Sequence, residues 1–140
     1  MKSLAALAVG VALIISSASA DESHQIKTGG ANVSLNFASE IPNLPGKSLK
    51  TVLVKYEPGA SSPPHTHAKS AFILAYVLEG EVTIAINGQP ARNYRRGEFW
   101  TENPGDHHQV SANASKTNPA QILAIFVVDT ADTELTTFAR

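Results

Sequence analysis

The chain has 140 residues, 11 basic and 12 acidic side chains and a formal charge of −1. So balanced a charge, with no basic cluster, argues against nucleic acid or an anionic membrane surface as a partner. It has no cysteine, which excludes disulfide staples, thiolate metal sites, iron–sulfur clusters and cysteine nucleophiles, so any metal must sit on nitrogen and oxygen.

Residues 1–20 read as a secretory signal peptide cleaved after Ala20: Lys2 is the positive start, Leu4 to Ile15 the apolar run, and Ala18-Ser19-Ala20 the small-residue cleavage site. A membrane anchor would need about 18–20 unbroken apolar residues, and Ser16 and Ser17 interrupt this run. A periplasmic or secreted protein is expected, exported unfolded because no arginine pair opens the chain, with its metal acquired outside the cytoplasm. The remainder, about 120 residues with ten basic and twelve acidic side chains, suffices for one domain and is too short for two.

Residues 21–31 are polar, contain Gly29-Gly30, and read as a flexible N-terminal arm on which His24 is solvated. The single domain is expected over residues 32–140. Asn32 to Phe37 alternates apolar and polar residues as a half-buried strand does, and Ile41 to Gly46 is a loop. Leu49 to Tyr56 is a strand with Val52, Val54 and Tyr56 on one side, ended by Pro58-Gly59. Phe72 to Leu78 is an unbroken apolar run, as in a strand covered on both faces. Glu81 to Ile86 runs into Asn87-Gly88, a strong hairpin signal. Short strands follow at Arg92 to Tyr94, Glu98 to Glu102, His107 to Ser111 and Gln121 to Val128, and a helix is considered only near Asp132 to Phe138. Short strands at regular spacing, broken by Gly, Pro and Asn, give an all-β sandwich or barrel.

Four of the five histidines fall in Pro63-Pro64-His65-Thr66-His67 and in His107-His108. Residues two apart on a strand face the same way, so His65 and His67 aim at one spot. The two prolines stiffen the backbone ahead of them. His107, next to His108, should point to the opposite face and stand at the rim. Three neutral imidazoles leave a divalent ion its full charge and open positions, which favours iron, copper, nickel or zinc over manganese. Glu102 or Gln109 could add an oxygen ligand, shifting the preference toward iron or manganese, but Glu102 is read as facing solvent or pairing with Arg95 or Arg96. Arg92, Arg95 and Arg96 form a solvated hairpin face. Phe72, Tyr76, Phe99 and Trp100 read as barrel core or a dimer face, with a pocket lining as the alternative.

Gly59, His65-Thr66-His67 and Tyr76-Val77-Leu78-Glu79-Gly80-Glu81 together resemble the first motif of the cupin superfamily. Gly97, Pro104-Gly105 and His108 resemble the second, the two spanning Gly59 to about Asn113. The resemblance implies a double-stranded β-helix, or jelly-roll barrel, holding one divalent metal on His65, His67 and His108. It also implies a glutamate ligand on the strand after the first two histidines. Counted back from Gly80 that position is Ile73, and counted on from His67 it is Ala71 or Phe72, none of them acidic. Asn103 and Ala112 also depart from the residues common at their places in the second motif.

The expected function is a metal-dependent enzyme, dioxygenase-like, acting on a small organic molecule that completes the metal's open positions. The alternative is an extracytoplasmic barrel that binds a small ligand unchanged, which the missing glutamate favours. A structural metal clip would require a fourth protein ligand closing the site. A homodimer is expected from the two-sided apolar strand Phe72 to Leu78.

Overall fold

A computed structural model describes residues 25–139. Residues 1–20, expected to be a signal peptide, and His24 lie outside them. The strands are β1 (Gln25–Thr28), β2 (Ala31–Glu40), β3 (Lys47–Tyr56), β4 (Ser61–Ser62), β5 (His65–His67), β6 (Phe72–Glu79), β7 (Glu81–Ile86), β8 (Arg92–Arg95), β9 (Phe99–Glu102), β10 (His107–Asn113), β11 (Ala120–Asp129) and β12 (Thr136–Phe138). They form two antiparallel sheets, one ordered β1-β2-β3-β11-β6-β9 and the other β12-β5-β10-β7-β8 with β4 also on β10. This is the all-β architecture expected from the spacing of turns, in the double-stranded form that the cupin resemblance implies.

Three segments differ from expectation. Residues 25–28, expected within a flexible arm, form β1 and pair with β2 around Gly29-Gly30, both at positive φ. The helix considered near Asp132 to Phe138 does not form: 132–135 is irregular and Thr136–Phe138 is β12, because pairing with β5 gives its backbone a ladder that local propensity did not supply. Strand β6 is covered on one face only: Ile73, Ala75 and Val77 are buried, while Phe72 and Tyr76 are 44% and 37% exposed.

The hairpin between β7 and β8 turns as its sequence requires. Asn87 and Gly88 both take positive φ, and Asn87 is the only non-glycine among the described residues to do so. Gly80 is held to glycine by contact as well as by φ, since a Cβ there would stand 2.5 Å from the Pro119 carbonyl oxygen. Arg95 pairs with Glu81 at 3.3 Å, and Arg92 lies 4.7 Å over the Tyr94 ring, so this hairpin is the solvated charged face its sequence suggested.

Inward-facing side chains of both sheets make the core in two clusters. One gathers Tyr56, Val77, Val82, Ile84, Trp100 and Ile122, and the other Val52, Ile73, Phe126 and Val128. Asn113 is also buried, its amide donating to the carbonyls of Glu57 and Asn118. A cavity of about 610 Å³ remains between the sheets.

Candidate metal centre

Strand β5 brings His65 and His67 to the cavity on one face, and β10 pairs with it so that His108 lies opposite His65 and His107 opposite Thr66. His65, His67 and His108 each present a ring nitrogen within 4.8 Å of the others. Ring centroids of His65 stand 4.9 Å from His67 and 4.8 Å from His108. His107 lies outside this group, its backbone N–H donating to Asn87 Oδ1. Gln109 sits where the β10–β7 register shifts and accepts from the Gly88 N–H, so it is not at the site.

The imidazoles are oriented by backbone. His65 Nδ1 donates to the Pro63 carbonyl at 2.8 Å, so the turn that the prolines stiffen also fixes the ring. His67 Nδ1 faces the Leu135 carbonyl at 3.2 Å and Thr136 Oγ1 at 3.1 Å. A carbonyl only accepts, so Nδ1 carries the proton in both rings and each Nε2 keeps its lone pair for the cavity. Phe126 packs edge-on against His67 and Phe138 against His65.

Glu102 is the residue that sequence reasoning misplaced. Far from meeting solvent or Arg95, it is 3% exposed, with Oε2 3.3 Å from His67 Nε2 and Oε1 3.3 Å from His108 Nδ1. Its Oε1 accepts the Trp100 indole N–H at 3.0 Å. Strand β9 places it opposite Ile73 of β6, one of the positions at which the first-motif resemblance expects a glutamate. The signal was present in the two-residue period: Trp100 and Glu102 share a face of β9, and an inward Trp100 carries Glu102 in with it.

Electrostatically the site is poised for a cation. Burial pushes the Glu102 carboxyl up, but the adjacent His108 and His67 outweigh that and hold it well below the usual carboxylate range. Burial lowers His65 to about 4, so its ring is neutral at neutral pH. The 3.3 Å contacts do not complete hydrogen bonds: Glu102 Oε2 and both ring nitrogens of His108 are buried without a partner. Such orphaned groups cost about 1–3 kcal/mol each. One ion bound to the imidazoles and the carboxylate would relieve Glu102 Oε2 and one of the His108 nitrogens at once, so the residues present fit a divalent metal.

Among known proteins, residues 52–126 match the family described as the cupin domain. A germin-like protein of Arabidopsis thaliana, subfamily 2 member 2, is 32% identical over 101 residues, covering 69% of this chain and 42% of that protein. Subfamily 2 member 4 is 30% identical over 101 residues, with 69% and 43% covered. The chain thus spans less than half the length of these curated relatives. A solved double-stranded β-helix protein from Klebsiella pneumoniae superposes with a TM-score of 0.63 at 16% identity, covering 82% of this chain and 89% of that one. An oxalate oxidase does so at 0.61 and 23%, covering 81% and 57%. Oxalate decarboxylase from Bacillus subtilis does so at 0.62 and 21%, covering 84% and 30%. At these identities the structures share the fold alone. The family match takes in both histidine-bearing strands and most of the sheet behind them, and the chain belongs to the cupin family.

Proposed function

We propose that this is an exported metalloenzyme that holds one divalent metal on His65, His67 and His108, with Glu102 as fourth ligand, and acts on a small organic molecule in the manner of a cupin dioxygenase. The observation that carries the reading is the gathering of ring nitrogens of His65, His67 and His108 within 4.8 Å of one another, with Glu102 Oε2 buried and unpartnered 3.3 Å from His67 Nε2. Three imidazoles and one carboxylate shift the expected metal toward iron or manganese. Bound there, such an ion supplies a Lewis acid and, if redox-active, a site for dioxygen. The chain's own part is to orient the imidazoles through Pro63, Leu135 and Thr136, to keep Glu102 ionised, and to exclude water with an apolar wall.

The reading of a barrel that merely binds a ligand drew support from a missing carboxylate, and Glu102 supplies one. A structural clip would close its metal off, whereas the cavity opens directly onto His65, His67, His108 and Glu102. Export is supported by the pattern of residues 1–20. The deciding experiment is elemental analysis of the purified protein beside the His65→Ala, His67→Ala, His108→Ala triple variant, followed by oxygen uptake. One equivalent of metal lost in the variant is expected, and metal-free protein in both cases would defeat the proposal.

A second copy of the chain is the proposed partner. The outer face of the β1-β2-β3-β11-β6-β9 sheet carries an apolar row Leu53–Leu123–Tyr76–Phe99 and a second, Leu49–Val127–Phe72, across paired strands. Phe99 is 58% exposed and Phe37, on the same face, 49%. Five strands of up to ten residues present roughly 700 Å², near the ~800 Å² per partner of a stable interface.

A further inference from the structure

The cavity over the metal site is large for a bare metal centre. It encloses about 610 Å³, and much of its wall is apolar, with Val33, Val52, Val54, Ile73, Ile122 and Leu135 contributing. Its charged lining residues are Glu102 and Glu134; no lysine or arginine among the described residues lines it. The neutral polar groups include three linked hydroxyls, Tyr56 Oη standing 2.7 Å from Ser111 Oγ and 3.1 Å from Ser62 Oγ. Burial raises the Tyr56 hydroxyl, so it stays protonated and neutral. The exposed lining residues Leu35, Thr133 and Glu134 mark the mouth.

We infer that this site takes a neutral, mainly apolar molecule of at least ring size, presenting one oxygen to the metal, and discriminates against small dianions such as oxalate. The inference rests on the metal reading above. Glu102 already contributes one negative charge beside the metal. A dianion would leave the centre net negative inside an apolar wall with no cation to pair it, an arrangement that burial penalises heavily. A neutral ring gains instead from covering the Val, Ile and Leu side chains, in proportion to the area it removes from water. A two-carbon dianion would leave most of the cavity unfilled, whereas pockets that bind by shape enclose most of their ligand.

The test uses the full protein loaded with manganese(II), titrated by calorimetry with 4-tert-butylphenol and separately with oxalate, metal content being measured after each titration. The phenol is expected to bind one to one and at least tenfold more tightly than oxalate. Leu35→Arg, at a mouth position 48% exposed and so safe for folding, should narrow that ratio several-fold by adding the missing cation. Ala124→Phe should weaken the phenol at least tenfold while manganese stays at one equivalent. Oxalate binding as tightly as the phenol, with metal retained, overturns the inference and leaves the metal reading standing. If the wild-type protein takes up no manganese, the metal reading fails instead, and the same phenol titration on the metal-free protein decides the cavity. Binding that Ala124→Phe abolishes upholds an apolar occupant, and no binding overturns it.

Discussion

Glu102 and Ile73 are register partners across β9 and β6, and both side chains line the cavity above the histidines. The carboxylate that the first cupin motif lacks is thereby delivered from the neighbouring strand. This pairing predicts an exchange. Glu102→Gln should weaken metal binding about 10- to 100-fold, and Glu102→Ile should abolish one-equivalent loading. Ile73→Glu introduced into Glu102→Ile should recover a substantial part of the affinity, measured by competition with a chromogenic chelator. Wild-type affinity in Glu102→Gln would show that the carboxylate is not a ligand.

His67 owes its orientation to Thr136 and to the Leu135 carbonyl. Thr136→Val keeps the side chain's shape and removes the hydroxyl. Metal affinity is expected to fall by about tenfold, with little change in the melting temperature of the metal-free protein. An affinity within twofold of wild type would mean that the carbonyl alone suffices.

Acid should destabilise the metal-free protein in two stages. The folded state holds His65 at about 4 against an ordinary 6.5, so as pH falls through 6.5 the unfolded chain takes up a proton first. Stability is therefore lost between pH 6.5 and about 4, by about 3 kcal/mol if His65 acts alone. Glu102 is held low instead, so its contribution is present above pH 4.5 and is lost as pH falls below it. Calorimetric melting in chelator from pH 7 to pH 3 should show a continuous fall beginning near 6.5. A melting temperature flat from pH 7 to pH 5 would contradict the assignment for His65.

The exposed row of Tyr76 and Phe99 predicts the state of assembly. Light scattering should give the mass of two chains, and the Tyr76→Glu, Phe99→Glu double variant should give one, with metal content unchanged because neither side chain lines the cavity. A wild-type monomer at tens of micromolar would rule the interface out.

Much of the barrel was legible because its strands obey two-residue alternation and its turns are marked by Pro, or by Gly and Asn at positions of positive φ. The inward set Val52, Val54 and Tyr56 on β3 is one example. The three histidines could be paired off in advance because a strand doublet and a second motif place them on facing strands. Glu102 could not be found from sequence distance to the histidines: it enters through the β6–β9 ladder, and the relation that reveals it is to Trp100 on the same strand. Strand β6 was misread because an apolar run does not say whether its second face meets the same chain or another. Strand β12 was missed because its partner residues lie 69 or more positions earlier (Thr136 opposite His67).

The contact between β12 and β5 also orders events in time. His67 is steered, and His65 covered, by residues 135–138, which lie 68 or more residues further along the chain than β5. A three-residue strand has too few bonds of its own to wait in place for them. His108 and Glu102 join the His65–His67 pair only through the pairing of β10 and β9 with their neighbours, so the full set of ligands exists only in the closed barrel. An ion met before the barrel closes would find His65 and His67 without His108 or Glu102, and so a weaker and less selective site.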